Sequence, residues 1–95
     1  MSASSDAVTT SVELRADLHA RPAGDVTRTA AMYGASVWLA VRDREVNARS
    51  VLAVMGLGAR AGETVVVRAE GADAVEAAAA VAGVLAVAEA VTGSA

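Results

Sequence analysis

Asp17-Leu18-His19-Ala20-Arg21-Pro22-Ala23 is where this chain changes its period. Upstream, Thr10-Ser11-Val12-Glu13-Leu14-Arg15 alternates polar and apolar residues, which predicts a half-buried strand with Val12 and Leu14 facing inward. Downstream, Ala23, Val26, Ala30 and Tyr33 recur at three- and four-residue intervals, which predicts a helix over 23–33. Asp17-Leu18 turns the chain between the two, and Gly34 is placed to close the helix. Pro22, the only proline, suits a first helical turn, where its fixed φ is preorganised and its missing N–H has no partner to lose. His19, the only histidine, then falls at or just before that turn.

A helix N-terminus aims free N–H groups outward and carries partial positive charge, so it attracts anions. An imidazole there, with the Arg21 guanidinium two residues on, has the parts of a nucleophile and phosphate acceptor. Taken alone, however, a single histidine at a helix start is more often an ordinary surface residue. Arg21, Asp25 and Arg28 share another face at i, i+4 and i+7, by default a solvated charge ladder.

Further along, Ser36-Val37-Trp38-Leu39-Ala40-Val41-Arg42 reads as a second strand. A turn at Asp43-Arg44 leads to a short third strand, Glu45-Val46-Asn47-Ala48, without the usual Asn-Gly or Asp-Gly signal. Ser50 is a good N-cap for a short helix beginning at Val51, which the Gly56-Leu57-Gly58 breakers end. Val51, Leu52 and Met55 give that helix an apolar face; the default is core, and exposure would mark a partner site. Thr64-Val65-Val66-Val67-Arg68-Ala69 is a strand rich in β-branched residues. Asp73 and Glu76 are spaced as a capping box for a last helix over 74–91, with Val81, Leu85 and Ala88 buried. Residues 1–9 read as a flexible tail and 10–92 as one domain. The order β-α-β-β-α-β-α predicts an α+β open-faced sandwich, helices covering one sheet face.

Composition excludes several functions. The chain has 95 residues and a net charge of −3, which argues against the basic stripe that nucleic-acid binding needs. No cysteine is present, so disulfides, zinc–thiolate centres and thiol catalysis are out, and no metal site is expected. No Ser-His-Asp arrangement suggests a hydrolase. The apolar stretch 77–88 falls short of the roughly 20 residues that span a bilayer, so a cytoplasmic protein without membrane insertion is expected. Aromatics are only 2% of a chain that is 55% hydrophobic, so the core must be built from Val, Leu, Ala and Met.

Two separated motifs together resemble a family. Leu18-His19-Ala20-Arg21-Pro22-Ala23 is similar to the phosphorylation-site signature of the histidine-containing phosphocarrier proteins (HPr) of the bacterial phosphoenolpyruvate:sugar phosphotransferase system. Asn47-Ala48-Arg49-Ser50-Val51-Leu52 resembles that family's second signature, around its regulatory serine. Leu57-Gly58-Ala59, Gly62 and Ala69-Glu70-Gly71-Ala72-Asp73-Ala74 resemble its later turns.

The resemblance implies a four-stranded antiparallel sheet with three helices on one face. It implies a phosphoryl carrier rather than a turnover enzyme: His19 accepts the group from phosphorylated Enzyme I and passes it to EIIA domains of sugar transporters, with no cofactor. Ala20 and Arg21 would hold phosphate oxygens, and Pro22 would set the imidazole's position. Partners would dock on Ala20, Gly24, Arg28, Arg49, Val51, Leu52 and Met55 of a monomer. Ser50 matches the serine that a dedicated kinase modifies in some bacteria, although a plain N-cap role comes first. The alternative is a regulatory relative of nitrogen or dihydroxyacetone type, acting through the phosphorylation state of His19 or Ser50 on a transcriptional regulator or other protein. The chain departs from the pattern at Asp17, where the family usually has glycine and where a carboxylate stands to oppose the phosphoryl charge. It also departs at Gly24-Asp25, whose carboxylate can pair with Arg21 or Arg28, and at Arg49, where lysine is common.

Overall fold

The computed structural model describes residues 7–88. Four strands, β1 (Ala7–Glu13), β2 (Ser36–Val41), β3 (Arg44–Asn47) and β4 (Thr64–Glu70), form one sheet in the order β1-β4-β2-β3. Every neighbouring pair is antiparallel. Three helices, α1 (Ala20–Ala30), α2 (Val51–Gly56) and α3 (Ala74–Val87), complete the domain. Helix α3 packs across β1, β4 and β2 and against α1, while α1 meets α2 and α2 meets β3. This is the predicted open-faced α+β sandwich. Among the described residues no helix is long and apolar enough to cross a membrane.

Alternation along the strands divides the sheet. Val37, Leu39 and Val41 of β2 and Val65, Val67 and Ala69 of β4 are buried beneath the helices. From the helical side come Ala23, Val26 and Ala30 of α1 and Ala77, Ala78, Val81 and Leu85 of α3. Each fully buried Leu or Val contributes roughly 1.5–3 kcal/mol relative to an exposed one, and alanines between them let helix backbones approach the sheet closely. On the open face Trp38 pairs with Arg68 across β2 and β4, and the guanidinium lies 4.0 Å from the indole centroid. Both Glu45 carboxylate oxygens accept from Arg68 at 3.0 Å, and Glu70 accepts at 2.7 Å. These bonds hold the Glu45 carboxyl below the usual carboxylate range and raise Arg68, first through the Arg68–Glu45 hydrogen bond.

Several boundaries move for physical reasons. Strand β1 starts at Ala7, because Ala7, Val8 and Thr9 pair with Glu70, Ala69 and Arg68; the predicted tail thus loses 7–9 to the sheet. Residues 1–6 lie outside the described residues, as do 89–92 of the predicted helix and domain. The helix predicted over 23–33 runs instead from Ala20 to Ala30. The hairpin turn is Arg42-Asp43, since Val41 pairs with Arg44. Arg42 adopts φ 57°, a positive value that hairpin turns require and that glycine or asparagine usually supplies. Its guanidinium bonds Glu63 and donates to the Leu57 carbonyl at 2.8 Å, tying down a residue in a costly conformation.

Two further expectations fail together. Gly34 does not cap α1, and Asp73 does not close a capping box on α3. Instead the Asp73 carboxylate accepts from the Gly34 N–H at 3.0 Å and the Ala35 N–H at 2.8 Å, fastening the start of α3 to the segment after α1. Gly71, at φ 136°, makes this approach possible: a Cβ there would meet the Ala35 Cα at 3.0 Å. Gly71→Ala should therefore lose roughly 2–3 kcal/mol in urea unfolding. Gly83→Ala is the control, since a Cβ at that α3 position meets nothing within 4 Å; it should gain about 0.5–1 kcal/mol.

Candidate functional site

Helix α1 begins where β1 has run out of partner. Beyond Glu13, paired with Thr64, the segment 14–18 follows the loop 59–63. Leu14 donates to the Glu63 carbonyl at 2.9 Å, Gly62 to the Leu14 carbonyl at 2.8 Å, and Leu18 to the Ala59 carbonyl at 2.9 Å. Leu14, Ala16 and Leu18 are buried, so Arg15, Asp17 and His19 alternate outward. The Asp17 carboxylate is engaged by the loop, its Oδ1 accepting from the Ala61 N–H at 2.9 Å. The His19 N–H turns back to the Asp17 carbonyl at 3.0 Å.

His19 is the N-cap of α1, in extended conformation (φ −93°, ψ −165°), and its exposed imidazole makes no cap bond. The first helical bond runs from the Ala23 N–H to the His19 carbonyl at 3.0 Å. Among the described residues, the N–H groups of Ala20 and Arg21 have no acceptor, and Pro22 has no N–H to satisfy. Pro22 is buried, which anchors this turn from below. No acidic residue lies in the first turn, and Arg21 makes no ion pair among the described residues. The result is a positive helix end with an exposed imidazole at its rim.

Ala20, Gly24 and Arg28 follow one face of α1, and a Cβ on Gly24 would lie 3.5 Å from an Arg28 guanidinium nitrogen. Of the two partners open to Asp25, Arg28 is the one it pairs with. On α2 the default core reading fails: Leu52 is 78% exposed, Met55 39% and Val51 37%, while Val54 is the residue buried beneath them. A helix of six residues has too narrow a buried face for all four. Arg49 is exposed, but its guanidinium donates to the Tyr33 carbonyl near the end of α1. Thr27 Oγ1 donates to the Ala48 carbonyl at 3.0 Å, joining α1 to the chain before α2. Ser50 caps α2, its hydroxyl accepting from the Ala53 N–H at 3.2 Å.

Supporting residues escaped the sequence reading. Asn47 Oδ1 accepts from the Arg49 N–H at 2.8 Å, an Asx turn whose local signature was readable. Arg44 donates to the Gly56 carbonyl at 2.9 Å and so satisfies the end of α2, with no sequence signal to announce it. Glu63 receives Arg42 on one oxygen and the Arg60 N–H on the other at 2.8 Å. The Arg42 bond first, and the Arg60 N–H second, hold the Glu63 carboxyl below the usual carboxylate range. A lowered folded value means stability that is present above the unfolded value of about 4.3 and lost as pH falls through the lower folded value. Wild-type unfolding midpoints should therefore drop on acidification below about pH 4.3, and less steeply in Glu63→Gln.

Comparison with known proteins agrees with this geometry. The family model described as the PTS HPr component phosphorylation site matches residues 7–86. Over 60 residues the chain is 52% identical to a phosphocarrier protein HPr of Streptomyces coelicolor, covering 60% of this chain and 64% of that protein, just under two thirds of its length. It is 37% identical over 60 residues to the HPr of Neisseria meningitidis serogroup A, covering 63% and 67% of the two chains. The crystal structure of a phosphocarrier protein HPr from Bacillus anthracis superposes with a TM-score of 0.78 at 31% identity, covering 83% of this chain and 96% of the other. Motifs, topology and family match coincide, and the chain belongs to the HPr family of phosphocarrier proteins.

Proposed function

We propose that this protein carries a phosphoryl group on His19, taking it from phosphorylated Enzyme I and handing it to EIIA domains of sugar transporters. The observation that carries the reading is the exposed imidazole at the N-cap of α1, beside the Ala20 and Arg21 N–H groups that have no acceptor among the described residues. A ring nitrogen, Nδ1 by the resemblance, attacks phosphorus as the donor's bond to phosphorus breaks, and the same N–P bond breaks when the acceptor takes the group. The phosphoryl group brings about two negative charges. The two N–H groups and the helix dipole favour a negative charge at this end, and Arg21, two residues on, supplies a further positive charge to it. Little else is needed, because phosphoryl transfer is governed by positioning and charge stabilisation. The chain's part is therefore that of a relay in the cytoplasm, needing no cofactor, with turnover belonging to its partners.

Docking is assigned to the surface shared by α1 and α2. Val51, Leu52 and Met55 offer apolar contact, Ala20 and Gly24 let a partner approach closely, and Arg28 and Arg49 lie at the edge. A small apolar patch with a charged rim suits fast association and easy release of a monomeric carrier. Ser50 lies at the start of α2, beside this patch, with its hydroxyl exposed. That placement favours, as a second reading, regulation by a serine kinase, since phosphate there would put charge into the apolar patch.

Incubation with Enzyme I and phosphoenolpyruvate, followed by intact mass and phosphorus NMR, tests the proposal. Wild type should gain one acid-labile phosphoryl group and His19→Ala none. Leu52→Glu should fold normally and accept the group about tenfold more slowly, the equivalent of about 1.4 kcal/mol of docking energy. A folded wild type that gains no phosphoryl group from several Enzyme I proteins would overturn the reading.

A further inference from the structure

We propose that Asp17 is a positioning residue for the His19 turn, acting through the hydrogen bond from the Ala61 N–H to its carboxylate; its effect on transfer rests on the carrier reading above. The segment 14–18 and the loop 59–63 are joined by main-chain bonds at Leu14 and Leu18. Between those fastenings the Ala61 N–H points at no carbonyl, and Asp17 Oδ1 accepts from it at 2.9 Å. The same residue's carbonyl accepts the His19 N–H at 3.0 Å. Asp17 thus grips the loop with its side chain and His19 with its main chain.

The loop makes a firm anchor. Glu63 binds the Arg60 N–H and the Arg42 guanidinium, Arg42 also binds the Leu57 carbonyl, and Leu57 and Ala59 are buried. An ionised acceptor makes the stronger class of hydrogen bond. Oriented in this way, the carboxylate spends a lone pair on the loop and leaves the Ala20 and Arg21 N–H groups open. The unfavourable charge expected from the sequence is thereby turned into a fastening. Glycine at this position would leave the Ala61 N–H without that acceptor and would loosen the turn. Because transfer depends on how closely the attacking nitrogen is held in line, a looser turn slows the chemical step more than it weakens docking.

Asp17→Asn separates the bond from the charge, since its amide oxygen still accepts while the charge is gone. Asp17→Ala and Asp17→Gly remove both. In Asp17→Asn the Ala61 amide should keep its protection from hydrogen exchange, and phosphoryl transfer from Enzyme I should stay within about threefold of wild type. In the other two, Ala61 exchange should rise about tenfold while Val65 and Val67 of β4 stay protected. In the same two variants kcat should fall about tenfold with KM little changed. Wild-type protection at Ala61 in Asp17→Gly, wild-type kcat in both Asp17→Ala and Asp17→Gly, or an Asp17→Asn that behaves like Asp17→Ala, would each overturn the proposal. Should wild type accept no phosphoryl group, the carrier reading falls alone. Ala61 exchange and the NMR order of the His19 ring then decide the positioning role, which stands if both loosen in Asp17→Ala but not in Asp17→Asn.

Discussion

The antiparallel register of β1 on β4 is the constraint on which the site depends. Pairing Glu13 with Thr64 puts the end of one strand beside the start of the other. The loop leading into β4 must then run along the segment leaving β1, and the main-chain bonds at Leu14 and Leu18 follow from that adjacency. A slip of one residue would turn Leu14 and Leu18 outward and their polar neighbours inward. His19 would then no longer stand at the rim of α1. The position of one imidazole is thus set through the main chain, by the register of a sheet to which His19 does not itself belong.

A core almost without aromatic rings imposes the second condition. Small side chains fill volume only if the backbones come close, and two fastenings achieve this at opposite ends of the domain. At one end Gly71 and Asp73 draw the start of α3 onto Gly34 and Ala35. At the other, Arg42 and Arg44 reach from the hairpin to the carbonyls that end α2, and Arg42 also binds Glu63. Arginine suits such work, because its planar fork can serve a carboxylate and a carbonyl at once.

The element order, the buried valines of β4 and the histidine at a helix start were all legible in the sequence. They were legible because each leaves a local trace: alternation, helical spacing, a proline in the first turn. What was not legible depends on residues far apart in the chain. Nothing near Ala7 announces a strand, since its small polar sequence becomes one only against β4. Asp73 has the spacing of a cap, and its real partners lie 38 and 39 positions away. Asp17 likewise reads as a charge set against the phosphoryl group, and the N–H that its carboxylate accepts from, that of Ala61, lies 44 residues on. The outward face of α2 was ambiguous for another reason. Apolar residues on a short helix look alike whether a neighbour in this chain covers them or a partner does.

Trp38 is the single indole of the protein, and it lies on the open sheet face under the Arg68 guanidinium, across the sheet from α1 and α2. Its fluorescence is consequently a reporter of one side of the molecule. Emission responds to loss of the sheet and to any change in the cluster of Arg68, Glu45 and Glu70. A partner docking as proposed, over His19 and the α2 surface, would approach from the other side, away from the ring. The indole therefore reports on the sheet and its open face, and the proposed docking surface calls for a label placed among the helices.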